Sequence, residues 1–302
     1  MVAVNNYEEV KYALRHLRLA GWRTGPVNGP VALCLHGWQD NANSFLALAP
    51  WLTDVQLVAI DLPGHGLSDW RHEHAYYHFV DWLNELVELI PQLSSEPIIL
   101  IGHSMGGMIA SVLAATCPEL VAQLVLIDSL GVITQADERT VEQLREAILA
   151  RQKTPLRRQL GYPDLHAAAQ ARLRDSDLDL PSALLLAQRG TVERAQRWYW
   201  HLDGRLRLPS AFRWNTTQAR QLISAISAPV LAIIALDGLM MVKQAQTTFA
   251  DAYPRLKLVE LSGGHHLHLT HAQQVAQVIN EFLLVHCEQL QPSSHAGVHI
   301  NP

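Results

Sequence analysis

Six short runs of almost unbroken apolar residues punctuate the chain: Val31 to Leu35, Gln56 to Ile60, Ile98 to Ile101, Leu124 to Ile127, Val230 to Ala235 and Leu256 to Leu261. Most lack the period-two alternation of a half-exposed sheet, so they predict buried strands of a parallel sheet covered on both faces. Tyr76 to Leu93 and His271 to Leu290 carry apolar residues at helical spacing and lie between or after these runs, as crossover helices should. Ahead of the first run, Val10 to Thr24 alternates loosely, with turn signals at Gly21 and Gly25-Pro26. That pattern predicts an antiparallel edge hairpin.

The rhythm breaks once. From Val132 to about Ser227 no strand pattern stands out; Arg- and Glu-rich helical stretches such as Ala136 to Gln152 are punctuated by Pro155, Gly161, Pro163 and Pro181. Strands resume at Pro229, so residues 132–227 are expected to be a helical cap inserted into an α/β core made of 1–131 and 228–290. The polar stretch 291–302, with Pro, Ser and Gly, is expected to be a disordered tail.

Composition narrows the class. A chain of 302 residues, 49% hydrophobic and 17% charged, is globular and long enough for one large domain with an insertion. Its net charge of -5 is made of dispersed charges without a basic patch, which argues against nucleic acid or an anionic membrane surface as partner. The first ten residues show no charged leader with an apolar core, and no segment reaches membrane-spanning length, so a cytoplasmic enzyme is expected. Cys34, Cys117 and Cys287 are odd in number, far apart and in apolar contexts, and read as buried thiols of a reducing compartment. Nothing in the sequence selects between a monomer and a homodimer.

Candidate chemistry centres on Gly102-His103-Ser104-Met105-Gly106, between an expected strand and the helix-forming run Met108 to Cys117. A serine on so tight a strand-to-helix turn needs glycines around it, because Cβ atoms there would collide, and it sits in a strained conformation that exposes its hydroxyl. The helix N-terminus then faces that oxygen with free N–H groups. An ordinary glycine-rich loop would also match the pentapeptide; the flanking strand and helix favour a nucleophile elbow.

A nucleophile needs a base and an oxyanion hole. Gly263-Gly264-His265-His266-Leu267-His268 follows the last expected strand, and His265 is the candidate base. His265, His268 and His271 also suit one helix face, but no Cys or carboxylate joins them, so a metal site is disfavoured. Backbone N–H groups of Met105 and of Trp38, in Leu35-His36-Gly37-Trp38, are the candidate oxyanion donors. Gly37 would let the backbone approach a ligand closely, the plain alternative being a strand-ending turn. His65, in Asp61-Leu62-Pro63-Gly64-His65-Gly66, is read as fixing a loop near the site; His72, His74 and His78 are read as decorating a solvated loop. Trp198, Tyr199, Trp200, Phe212 and Trp214 are candidate walls of an apolar acyl pocket or, more plainly, core.

Taken together, these motifs resemble an α/β-hydrolase. Cys34-Leu-His-Gly-Trp-Gln-Asp-Asn-Ala-Asn-Ser-Phe45, Gly64-His-Gly-Leu-Ser68, Gly102-His-Ser-Met-Gly-Gly107, Gln188-Arg-Gly-Thr191 and His265-His-Leu-His268 resemble its serine hydrolase-like branch. The long His36 to Phe45 run is the specific part; the rest is shared by many esterases. The resemblance implies the α/β-hydrolase fold, a mostly parallel central sheet flanked by helices with an inserted cap. It also implies a serine nucleophile and hydrolysis of a small-molecule ester or related acyl substrate without a cofactor.

The triad acid has two candidates. Relatives usually carry it in a G-x-x-D loop after the strand that follows the cap, where this chain reads Ala235-Leu236-Asp237-Gly238, without the leading glycine and with the carboxylate one residue early. The second position follows the strand after the elbow helix, here Leu126-Ile127-Asp128-Ser129, where the serine hydrolase-like branch tends to carry aspartate. Asp128 is the expected acid and Asp237 the alternative. The same triad serves C–C bond hydrolases and cofactor-free perhydrolases, and a non-catalytic ligand-binding homologue is a further alternative from another class.

Overall fold

The computed structural model describes residues 7–153, 161–174 and 176–287. Its main sheet has eight strands: β1 (Glu8–Ala13), β2 (Arg18–Thr24), β3 (Val31–Leu35), β4 (Gln56–Ile60), β5 (Ile98–His103), β6 (Val121–Ile127), β9 (Val230–Ala235) and β10 (Leu256–Leu261). Their spatial order is β1-β2-β4-β3-β5-β6-β9-β10. From β4 to β10 every pairing is parallel, and β1 and β2 add antiparallel at one edge.

All six apolar runs are strands; β10, at the sheet edge, is only half-buried against the expectation of a buried strand, while the other five are buried for a reason visible in β3. Leu33 and Leu35 enter one hydrophobic core and Ala32 and Cys34 the other, so both faces of the strand are dry and no polar alternation is possible. The first core packs under α1 (Phe79–Leu93) and α2 (Met105–Thr116); the second packs against α9 (Ala272–Cys287). α7 (Met240–Phe249) bridges β9 and β10, and α8 (Leu267–Thr270) leads into α9.

Gly21 is not a turn residue as its sequence context suggested. It lies within β2 opposite Ile60, where a Cβ would sit 2.3 Å from the Ala59 carbonyl, and the hairpin reverses over Leu14 to Leu17 instead.

Between β6 and β9 the chain builds α3 (Thr140–Lys153), α4 (Leu165–Leu173), α5 (Leu180–Gly190), β7 (Thr191–Arg194), β8 (Arg197–Trp200) and α6 (Thr216–Ser224). The expectation of no strands there is corrected: β7 and β8 form an antiparallel hairpin. Ala195 and Gln196 at its tip have φ of 48° and 58°, the left-handed pair a two-residue turn requires, but without the Asn-Gly that would signal it. Cys34 is buried and Cys117 only half-buried, a departure from the expected burial. The expected tail 291–302 and residues 288–290 of the expected final helix lie outside the described residues, as does the Cys287 side chain. Among the described residues no helix is long and apolar enough to cross a membrane.

Candidate active site

Three loops at the carboxyl edge of the sheet meet at Ser104. The serine takes φ 50° and ψ −119° between β5 and α2, a conformation side chains rarely adopt. The turn closes only because its neighbours lack side chains. A Cβ on Gly106 would lie 2.0 Å from the Leu35 carbonyl oxygen, and one on Gly102 would lie 2.5 Å from Gly107. The Ser104 N–H donates to the Ile127 carbonyl (3.1 Å), and Ser129 Oγ donates to the Ser104 carbonyl (2.8 Å), tying the elbow to the end of β6.

That same strand end carries Asp128, fully buried and with φ 39°. Its Oδ1 accepts the Ala235 N–H at 3.0 Å and its Oδ2 lies 2.6 Å from His265 Nδ1. His265 Nε2 is 3.0 Å from Ser104 Oγ. Asp128, His265 and Ser104 therefore form one hydrogen-bonded chain, with the His265 tautomer set by the carboxylate on Nδ1. Asp237 is exposed, and among the described residues only its backbone is engaged, donating to Gly263 O at 2.9 Å. Gly238 beside it packs on the acid: a Cβ there would sit 2.7 Å from both Asp128 carboxylate oxygens.

Met105 is the first residue of α2, and Trp38 follows the end of β3. Among the described residues neither backbone N–H is given to a protein acceptor. The Trp38 indole donates to the Leu206 carbonyl at 3.3 Å, reaching from the core to the β6–β9 insertion. Gly37 allows a close approach, but to a neighbouring ring: its Cβ would lie 2.8 Å from His103 Nδ1.

The other histidines sort by environment. His36 is buried, donates from Nδ1 to Gly37 O (2.7 Å) and accepts the Leu62 N–H on Nε2 (2.9 Å). Burial lowers its pKa to about 4. His65 packs edge-on against His36, and burial followed by that neighbour lowers it to about 3, so it is a neutral loop-fixing group. His72 and His74 are exposed; His78 is half-buried, and its N–H meets the Asp81 carboxylate at the start of α1. The spacing of His265, His268 and His271 does not converge. His268 Nε2 bonds Ser44 Oγ (2.7 Å) and His271 Nδ1 bonds Thr270 Oγ1 (2.9 Å). Among the described residues no group of His, Cys, Asp or Glu is arranged to hold a metal ion.

The five aromatics of the insertion do not form one wall. Tyr199 lies over Gly161 and Trp200 over Gly190, inside the insertion, whereas Trp214 stacks edge-on against Phe79 of α1 at 5.5 Å.

Sequence reasoning missed a buried ionic group behind His265. Asp40, fully buried after β3, accepts Arg172 Nη2 at 2.9 Å and faces His266 Nε2 at 3.5 Å and His103 Nδ1 at 3.8 Å. His103 Nε2 donates to the His265 carbonyl at 2.9 Å. Asp177 is 2.5 Å from His266 Nδ1. Burial alone would depress His266, but the two carboxylates outweigh it and lift its pKa to about 9. Burial and then the neighbouring imidazoles push His103 down, and burial followed by His266 lowers His268 to about 3. Also missed was Arg189 on α5, whose Nε bonds both Asp61 carboxylate oxygens at 2.9 and 2.8 Å and whose Nη1 reaches Glu9. Asp40 lay within the specific run His36 to Phe45 and Arg189 within the quoted motif Gln188 to Thr191; nothing in the sequence marked Asp177.

Comparison with known proteins agrees with this fold. The family model described as the α/β hydrolase fold matches residues 30–272. A serine hydrolase-like protein of Danio rerio is 31% identical over 276 residues, covering 88% of this chain and 85% of that protein. Among solved structures, a hypothetical protein from Pseudomonas aeruginosa PAO1 superposes with a TM-score of 0.87 at 36% identity, covering 92% of this chain and 99% of that one. A thioesterase domain from the curacin biosynthetic pathway superposes with a TM-score of 0.79 at 26% identity, covering 92% and 100%.

Proposed function

The chain belongs to the α/β-hydrolase family, in its serine hydrolase-like branch, and on that premise we propose that it cleaves carboxylic esters or thioesters through an acyl-enzyme on Ser104. The observation that carries this reading is the unbroken chain from Asp128 Oδ2 through His265 to Ser104 Oγ, at 2.6 and 3.0 Å. The thioesterase neighbour brings thioesters into the substrate class.

In this mechanism Ser104 Oγ attacks the substrate carbonyl while its proton passes to His265 Nε2. Asp128 holds the other ring nitrogen and stabilises the imidazolium that forms. The developing oxyanion is held by the N–H groups of Trp38 and Met105, which among the described residues are not spent on protein acceptors. The intermediate collapses as His265 returns the proton to the leaving alcohol or thiol. Water then enters, gives a proton to the same nitrogen and attacks the acyl-serine, and the second intermediate collapses as that proton returns to Ser104 Oγ and the acid is released. Residues 132–227 act as a cap, with Leu206 fixing Trp38 beside the site. A non-catalytic binding role would be favoured by a base held far from the serine, and 3.0 Å weighs against it.

Ser104→Ala tests the reading. It is expected to abolish turnover of p-nitrophenyl esters and labelling by a fluorophosphonate while the fold stays intact. Retained turnover would overturn the mechanism, and an intact wild-type protein inert to both probes would favour the binding role.

A further inference from the structure

The loop that carries His265 is held from the β6–β9 insertion, by a residue that none of the motifs includes. Asp177, between α4 and α5, reaches into the loop and contacts it on both sides of His265. Its Oδ2 accepts the His266 N–H at 3.0 Å and its Oδ1 meets His266 Nδ1 at 2.5 Å. On the other side the loop closes over the carboxylate so tightly that a Cβ on Gly264 would lie 2.1 Å from Oδ2. The insertion makes a second hold through Arg172 of α4, which bonds Asp40, and Asp40 in turn faces His266 Nε2 at 3.5 Å.

We propose that Asp177 is a positioning residue for the hydrolytic reaction: together with protonated His266 and Asp40 it locks the His265 loop to the insertion, so that the base is aligned on Ser104 only while the insertion is docked. This rests on the triad reading above.

Charge balance favours the protonated imidazole. Two carboxylates, Asp40 and Asp177, converge on His266, and Arg172 supplies a single compensating cation. The remaining groups facing His266 are the rings of His265, His103 and His268, at 5.1, 5.2 and 6.2 Å. His103 and His268 are held neutral by burial, so neither can replace the charge. Loss of the His266 proton would leave two carboxylates, buried Asp40 and the more exposed Asp177, facing a neutral ring beside the base loop with Arg172 as their one cation. With a pKa of about 9 the lock is intact at neutral pH and opens as pH rises through that value.

The test is the pH dependence of kcat/KM for a p-nitrophenyl ester, and of the rate of fluorophosphonate labelling, in wild type, Asp177→Asn and Asp177→Ala. Wild-type activity is expected to fall above pH 9. Asp177→Ala is expected to lose roughly 10- to 100-fold in kcat, with KM little changed, because the base is misaligned and not the substrate. Asp177→Asn keeps an acceptor for the His266 N–H and should recover part of that rate, but with the alkaline fall moved to lower pH, since the charge that holds the proton is gone.

A wild-type profile flat to pH 10 overturns the proposal whatever the variants do. So do variants with wild-type kcat, or a uniformly scaled profile whose alkaline fall has not moved. Failure of the isosteric Asp177→Asn to fold would also overturn it, by making the carboxylate a determinant of folding. An inert Ser104→Ala beside unaltered Asp177 variants would remove this inference alone; an active Ser104→Ala would remove the triad and this with it.

Discussion

Asp128 Oδ2 lies 2.6 Å from His265 Nδ1, whereas the side chain of Asp237, one strand further along the sheet, is turned to solvent. Asp128→Asn is therefore expected to lower kcat/KM by about four orders of magnitude, because an amide on Nδ1 favours the wrong tautomer and cannot stabilise the imidazolium. Asparagine tolerates the positive φ at this position, so the fold should persist. Asp237→Asn should leave turnover essentially unchanged. Steady-state kinetics on the two variants check both statements, and the reverse pattern would move the acid to Asp237.

Gly106 is held against backbone rather than side chain. An alanine methyl would sit 2.0 Å from the Leu35 carbonyl oxygen, which cannot rotate away. Gly106→Ala should cost about 1–3 kcal/mol or more in urea unfolding. It should also cut fluorophosphonate labelling, because the N-terminus of α2, with the Met105 N–H, must shift from the end of β3.

Arg189 and Asp61 are both buried, so removing the cation strands a carboxylate in the interior. Arg189→Ala should destabilise the protein by about 3–5 kcal/mol. Glu9, the third member, is exposed, and Glu9→Gln should cost under about 1 kcal/mol. Chemical denaturation of both variants checks the contrast; equal losses would contradict it.

Stability should peak near neutral pH. Burial depresses His36, His65, His103 and His268 below their ordinary value, so below pH 6.5 the unfolded chain takes up protons that the folded one refuses. Each withdraws about 1.4 kcal/mol per pH unit until its folded pKa is reached. His266 runs the other way: its stabilisation is complete below pH 6.5 and is lost as pH rises through about 9. Melting temperatures from pH 4 to 10 should fall on both sides, and a rise between pH 6.5 and 5 would contradict the burial argument.

What the sequence disclosed follows from how local each signal is. The strands were legible because β3 to β6 and β9 are buried on both faces and so almost purely apolar, and Ser104 because its turn demands glycines within four residues. The β7–β8 hairpin was missed because Ala195-Gln196 takes a left-handed turn without the residues that favour it. Gly21 was misread because a glycine required by a neighbouring strand looks the same in sequence as one required by a turn. Asp177 could not be read at all. Its partner His266 lies 89 positions away, and only the docking of the insertion brings them together.

The pairing of Leu124 with Val230 has a consequence for how the chain assembles. Strands β3 to β6 are joined by short crossovers, but β9 can add to β6 only after about a hundred intervening residues have been gathered. Closing that much slack chain costs on the order of 4 kcal/mol in entropy. The intervening segment offsets this by collapsing on itself, since α4 packs on α5 and β7 on β8. The edge formed by β9 and β10 is then expected to form late, with the loop bearing His265, which follows β10, taking its place when that edge closes. On the triad reading, chemical competence is thus expected at the end of folding, when the halves of the sheet separated by the insertion are rejoined.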